Sequence, residues 1–555
     1  MTRRHVLAGL LWFSCLPVAV WAAPPASASA SDSALTQVSQ SPVGGIESLE
    51  LQYLSSKDPE QRRQALSELK ALAKNSAGSD AGALNRAVSA MLPAADSVEA
   101  AEALLTIAAA HPAGAGAGEL QPVDRKFLVD AREAAQAARR PSGDVEALAD
   151  IRIDHLRKDS LGRDGLTSAH VQQIWRINSA QGARSFSPRS LTYAAMSETL
   201  CLVRARVLKR DGRELQAVVS ADQPVVERSS SMYFDSRSRD LHFAQLAAGD
   251  VVEIEYDLLP ASEVNPWAGY YARLDLFRDS LPTRLRRRVV IAPSTMKLYA
   301  VEHGLRPAVV EVQGEETTRV WEMRDIAAQA FEALSPGASA SSEYLHVSTI
   351  GTMAEFGHWY NGLLEPALRL DENLRDVAAA IAARNLSTLG KVQAVYESVQ
   401  RSTRYVAFEF GVHSYQPYPV ALVERRGFGD CKDKAAMIVA LLRAVGVPAE
   451  FAMVRTRSAG AMSRQAYSIQ LFNHAVAYVP ELNLYLDGTA EYAALGELPP
   501  DDQGAMAITV DADGTATLRT VPFSAPESNR VTRSSSKKNM SAKDSVNSVA
   551  KGGSN

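Results

Sequence analysis

Three patterns along the 555-residue chain predict an α+β multidomain protein with a helical N-terminal segment, a β-rich sandwich-like domain and a C-terminal core of helices followed by strands. Ala- and Leu-rich runs at helical spacing fill 46–150, and short β-branched and aromatic runs between turn signals fill 151–345. The third pattern, at 346–525, is a series of helices followed by strands. Several domains are expected from length alone, since one hydrophobic core seldom organises more than about 250–300 residues. A hydrophobic fraction of 46% with 22% charged residues is globular. The balance of 59 basic against 63 acidic residues gives no field for a nucleic-acid partner.

The chain opens on Arg3 and Arg4, then the apolar run 6–21, then Ala22 and Ala23, the order of a secretory signal. The run falls short of the ~20 apolar residues of a membrane-spanning helix, and Pro17 interrupts it. Residues 1–22 are therefore expected to be cleaved, leaving no stable membrane span and a periplasmic or secreted protein. The Thr2–Leu7 stretch partly resembles a twin-arginine signal, so either export route fits. Residues 23–45 are rich in Ala, Ser and Pro and read as a disordered linker, as does the Ser/Lys/Asn tail 526–555.

Helical spacing at Ala65, Leu66, Leu69, Leu72 and Ala73 marks the 46–150 region, punctuated by Pro93 and Pro112. In 151–345 the runs 197–208, 216–219, 250–258 and 288–292 read as strands, with Asp211-Gly212 and Gly249-Asp250 as turns. The Arg284–Arg288 run reads as a solvated strand edge. Cys201, Val203, Ala205 and Val207 alternate as one apolar strand face, which makes Cys201 a buried small hydrophobe rather than a disulfide partner.

The most informative stretch is Gly427-Phe428-Gly429-Asp430-Cys431-Lys432-Asp433-Lys434. Asp430 is a good N-cap and Asp433 its N3 partner, so a helix should begin at Cys431 and bury Ala435, Ile438, Val439 and Leu442. A cysteine in a first helical turn has its thiolate stabilised by unpaired backbone N–H groups. A histidine against the sulfur would add the largest favourable effect. Phe472, His474, Val476 and Tyr478 share a strand face, Pro480–Asn483 turns, and Leu484–Thr489 returns. With Glu481 and Leu482 at the loop centre, Val476 faces Asp487, and His474 becomes its diagonal neighbour within roughly 7 Å at Cβ. The order of helix-start Cys, strand His and returning Asp is that of thiolate, base and orienter in nucleophilic catalysis.

Arg404-Tyr405-Val406, the loop 411–417, the block around Cys431, Phe472-Asn473-His474 and Leu486–Thr489 resemble bacterial transglutaminase-like proteins that carry an N-terminal DUF3857 domain. The strand and turn at 206–212 and the segment 246–256 are similar to that domain. The resemblance spans about 155–525. It implies a papain-like thiol fold, with Cys431 as nucleophile, His474 as general base then acid, and Asp487 orienting the imidazole. Family members commonly continue into a further β module beyond the point where this sequence passes into its tail, and position 488 holds Gly where Pro is frequent.

The implied chemistry is acyl transfer on a protein or peptide amide through an acyl-thioester. Hydrolysis is favoured over amine crosslinking, because no feature of the sequence marks an acceptor-amine site. The Arg-Gly-Gly-x-Cys environment of arylamine acetyltransferases is missing. A non-catalytic periplasmic scaffold retaining the fold is the alternative. For the oxyanion, the Cys431 N–H and the Gln416 side chain are the candidate donors, and a Gln bonded within its own loop is the bland reading of Gln416. Neither cofactor nor metal is expected, since the ten histidines are scattered and no Cys-x-x-Cys pair occurs.

Overall fold

The computed structural model describes residues 42–525 apart from internal stretches, the longest being 108–124 and 134–150. The expected signal, residues 23–41 of the expected linker, and the tail 526–555 lie outside the described residues. The first described helix is Pro42–Ser55, so helical structure starts inside the expected linker, ahead of Ile46. Pro is well tolerated in a first helical turn. Gly45 lets this helix approach the next one, Pro59–Asn75, because a Cβ there would stand 3.2 Å from Leu72 Cδ1. With Ala81–Met91, these helices bury Ile46, Tyr53, Leu69, Leu84 and Met91. Among the described residues no helix is long and apolar enough to cross a membrane.

The β-rich region is built on an eight-stranded sheet. Its order is Val309–Gln313, Glu316–Ile326, Thr283–Pro293, Ile151–Leu161, Thr167–Ile177, Val251–Pro260, Glu198–Leu208 and Glu214–Gln216. A second sheet carrying Arg189–Ala194 and Met232–His242 packs on its Leu200, Ala205, Val252 and Ile254 face through Leu191, Tyr193 and Leu241. Gly212, at φ 91°, turns the hairpin after Leu208, a conformation that suits glycine.

Two expectations are corrected here. The pairing of Glu198–Leu208 with Val251–Pro260 shifts between Leu202 and Arg204, leaving Val203 bulged and 37% exposed. A bulge adds one residue to a period of two. Cys201 is thereby separated from the Ala205–Val207 face, and it sits opposite Asp257 as a partly buried free thiol. The Arg284–Arg288 run is no solvated edge, since Thr283–Pro293 lies between two neighbours in the sheet interior. Arg286 and Arg288 are buried, and Arg288 Nε stands 3.0 Å from the buried Asp275 Oδ2. Charge at an interior strand is tolerated because it is paired.

The change from β region to thiol core is not a break at 345. Tyr344–Ser348 is a strand of the β region, pairing with Ala272–Leu276 and Tyr299–His303, while His346 Nε2 and Ser468 Oγ lie 2.8 Å apart across to the core. In the core, the helix Cys431–Ala444 packs on an antiparallel sheet ordered Leu484–Leu486, His474–Val479, Glu450–Arg455, Met506–Val510 and Ala516–Thr520. Residues 404–409 form two short strands. Arg404–Tyr405 pairs with Phe428–Gly429, and Ala407–Glu409 joins Met232–His242 of the preceding region.

Candidate active site

Cys431 opens its helix. Asp430 caps it, accepting from the N–H groups of Lys432 and Asp433, while the Asp433 carboxylate accepts from the Asp430 N–H. This reciprocal box satisfies donors that the first turn would otherwise leave open. The turn is buried and charged. Asp433 Oδ2 meets Arg426 at 2.8 Å, its Oδ1 accepts from Tyr418 N–H at 2.8 Å, and Lys432 pairs with Asp430. Burial opposes the Lys432 ammonium, but Asp430, Glu409 and Asp433 outweigh it and hold the lysine well above its usual range. The charges of Asp430, Lys432 and Asp433 are thus neutralised in pairs, and the thiol of Cys431 beside them is partly exposed.

The hairpin after His474 pairs Ala477 with Leu486, Tyr478 with Tyr485 and Val479 with Leu484, the register expected. Ladder pairing ends at Leu486, and Asp487 follows as a fully buried carboxylate. His474 Nε2 stands 3.4 Å from Asp487 Oδ2, an ion-pair contact rather than an aligned hydrogen bond. Burial disfavours the imidazolium, yet Asp487 and Cys431 together hold His474 well above the ordinary imidazole range. Burial would raise Asp487, but His474 and the Thr489 N–H and hydroxyl hold it below the usual carboxylate range.

Three further contacts fix Asp487. Its backbone carbonyl accepts from the Tyr396 hydroxyl at 3.0 Å. Oδ1 accepts from Thr489 N–H at 2.8 Å and Oγ1 at 2.7 Å. Gly488 lies so close to the nucleophile's helix that a Cβ would meet Lys434 Cβ at 2.9 Å. A side chain at position 488 would therefore make the chain or the first turn of that helix shift.

Gln416 makes its hydrogen bonds outside this cluster. Its Nε2 donates to Leu363 O at 3.1 Å and its own carbonyl lies 3.1 Å from His413 Nδ1, so its contacts are with a neighbouring helix and its own loop. Asp502, which sequence reasoning missed, is brought in from the turn before Met506–Val510. Its Oδ2 lies 3.7 Å from His474 Nε2. Burial pushes Asp502 up to about 6, with Asp487 and Asp501 reinforcing the rise and His474 opposing it. In Pro499-Pro500-Asp501-Asp502-Gln503-Gly504 nothing separates it from an ordinary turn aspartate.

Comparison with known proteins agrees with this architecture. Residues 163–330 match the domain of unknown function DUF3857, and residues 375–480, which hold Cys431 and His474, match the transglutaminase-like superfamily. No curated protein matches the chain. The crystal structure of a candidate protease from Parabacteroides distasonis superposes with a TM-score of 0.55 at 15% identity, over 67% of this chain and 72% of that one. It shares the fold. A candidate cysteine protease from Cytophaga hutchinsonii matches at 15% identity over 45% of this chain and 88% of its own, with a TM-score of 0.19, too low to carry weight. The chain carries a DUF3857 domain followed by a transglutaminase-like superfamily domain.

Proposed function

We propose that the protein is an exported, periplasmic or secreted cysteine enzyme with a papain-like core that acts on protein or peptide amides. The observation that carries this reading is the His474 ring, set 3.4 Å from the buried Asp487 carboxylate and kept charged by Asp487 and Cys431 together. Cys431 Sγ attacks the amide carbonyl, forming a C–S bond and an oxyanion received by the Cys431 N–H. Gln416 is the second candidate donor, with one of its two amide N–H groups committed to Leu363 O. His474 gives its proton to the departing amine as the C–N bond breaks. Water then attacks the thioester, His474 takes the water's proton, and the acid leaves while the thiolate is restored. Asp487 keeps the imidazole in the tautomer and orientation that both transfers need. Water is the favoured acceptor over a lysine-like amine.

Iodoacetamide at neutral pH tests the assignment. Rapid labelling of Cys431 but not Cys201, together with amide cleavage that Cys431→Ala abolishes, is the expected result. Equal slow labelling of both thiols would support a non-catalytic scaffold instead.

A further inference from the structure

We propose that His474, Asp487 and Asp502 form a site for a divalent transition cation, with zinc(II) as its model ligand, and that occupation reversibly arrests the thiol chemistry. The donor atoms of the three side chains all lie within 4.8 Å of one another. Individual separations are more telling. His474 Nε2 is 3.4 Å from Asp487 Oδ2 and 3.7 Å from Asp502 Oδ2. Charge-assisted N–H···O contacts close to about 2.7–2.9 Å, so both oxygens stand back from the nitrogen. Donors at about 2.0–2.2 Å from a tetrahedral zinc stand roughly 3.4 Å from each other, close to the two nitrogen–oxygen separations here.

The second observation is burial without a hydrogen-bond donor. Asp487 and Asp502 side chains are 0% and 5% exposed, and neither Oδ2 accepts a hydrogen bond. A buried acceptor left this way is costly. Two carboxylates around one imidazole also leave negative charge in excess, and Lys434, the nearby cation on the Cys431 helix, gives its Nζ to Thr403 O at 2.8 Å. One imidazole and two carboxylates suit zinc, manganese or iron(II).

Binding exchanges the Nε2 proton for the ion, with no change of oxidation state. An imidazole ligated through Nε2 can no longer serve as the imidazolium that protonates the leaving amine. The cation is thus an inhibitor and not a cofactor, and a chelator leaves turnover intact. Because the site overlaps the proposed catalytic one, the test reads binding directly and does not depend on activity.

Isothermal titration of the full chain with zinc chloride should give one ion per chain. Asp502→Asn should weaken it at least tenfold and Cys431→Ala should retain it. X-ray absorption of the zinc-loaded wild type covers the case of a variant that fails to fold, and should give a first shell of nitrogen and oxygen only. Equal affinity in wild type and a folded Asp502→Asn, loss of binding in Cys431→Ala, or a zinc–sulfur distance near ~2.3 Å would each overturn the site. A wild type that binds zinc but cleaves no amide would refute the proposed activity while leaving the cation site in place.

Discussion

Phe408 of the transglutaminase-like region lies in parallel register with Tyr233 of the preceding β domain, their rings packed edge to face at 5.3 Å. One residue on, the buried Glu409 acts electrostatically on Lys432, the residue after Cys431, so the sheet that the two domains share comes close to the candidate site. Gln470, four residues before His474, ties the other flank, since its side chain accepts from Leu274 N–H and donates to Ala272 O at 2.9 Å each.

The core is therefore expected to depend on the β domain. A fragment of residues 346–525 leaves the 407–409 strand unpaired and Phe408 uncovered. It should melt well below a fragment of residues 151–525 and be cut rapidly in limited proteolysis. In the full chain, Tyr233→Ala should cost about 3 kcal/mol through loss of the buried ring. Equal melting of the two fragments would refute the dependence.

Asp487→Asn is expected to leave the protein folded while lowering turnover and the alkylation rate of Cys431 at pH 6 at least tenfold. Asp487 is one of the two groups that keep His474 charged against burial, and an amide cannot hold an imidazolium as a carboxylate does. His474→Ala should be more severe. Superimposable rate-against-pH curves for wild type and both variants would refute the triad.

Gly488→Ala is expected to destabilise by roughly 1–3 kcal/mol, as overpacking does, because the new methyl would meet Lys434 Cβ at 2.9 Å and Ile438 Cδ1 at 3.3 Å. The displacement falls on Asp487, so turnover should drop further than the melting point implies. Unchanged melting and rate would mean that the chain passes less closely over the helix.

Glu409 supplies a pH signature. Burial, with Asp430, Asp433 and Asp235 adding to it against Lys432, raises Glu409 from 4.5 to about 7. Since the folded value exceeds the unfolded one, the stability it contributes is complete below about pH 4.5 and is lost as pH rises through about 7. Glu409→Gln should remove that loss, which amounts to on the order of 3 kcal/mol for a shift of this size. Asp235 and Asp433, both pushed up to about 6, keep part of the slope in the variant. Chemical denaturation between pH 5 and 8 measures the difference, and parallel slopes would contradict it.

Legible in the chain before folding were the features with local causes. Asp430 and Asp433 lie within one turn of Cys431, so the helix start and its capping box follow from side-chain chemistry three residues apart. The pairing of His474–Val479 with Leu484–Leu486 follows from a tight turn and an alternating face, since a slip by one residue would turn the buried set outward. Interior placement of the Arg284–Arg288 run escaped this reasoning, because the partner Asp275 comes from another strand. The Val203 bulge escaped too, because a bulge is an agreement between two strands and leaves no mark in one. The joining of Glu409 to Phe234, and the arrival of Asp502 beside His474, were decided only by tertiary packing. An aspartate in a turn is ordinarily solvated, and only the folded core removes its water and turns it toward an imidazole.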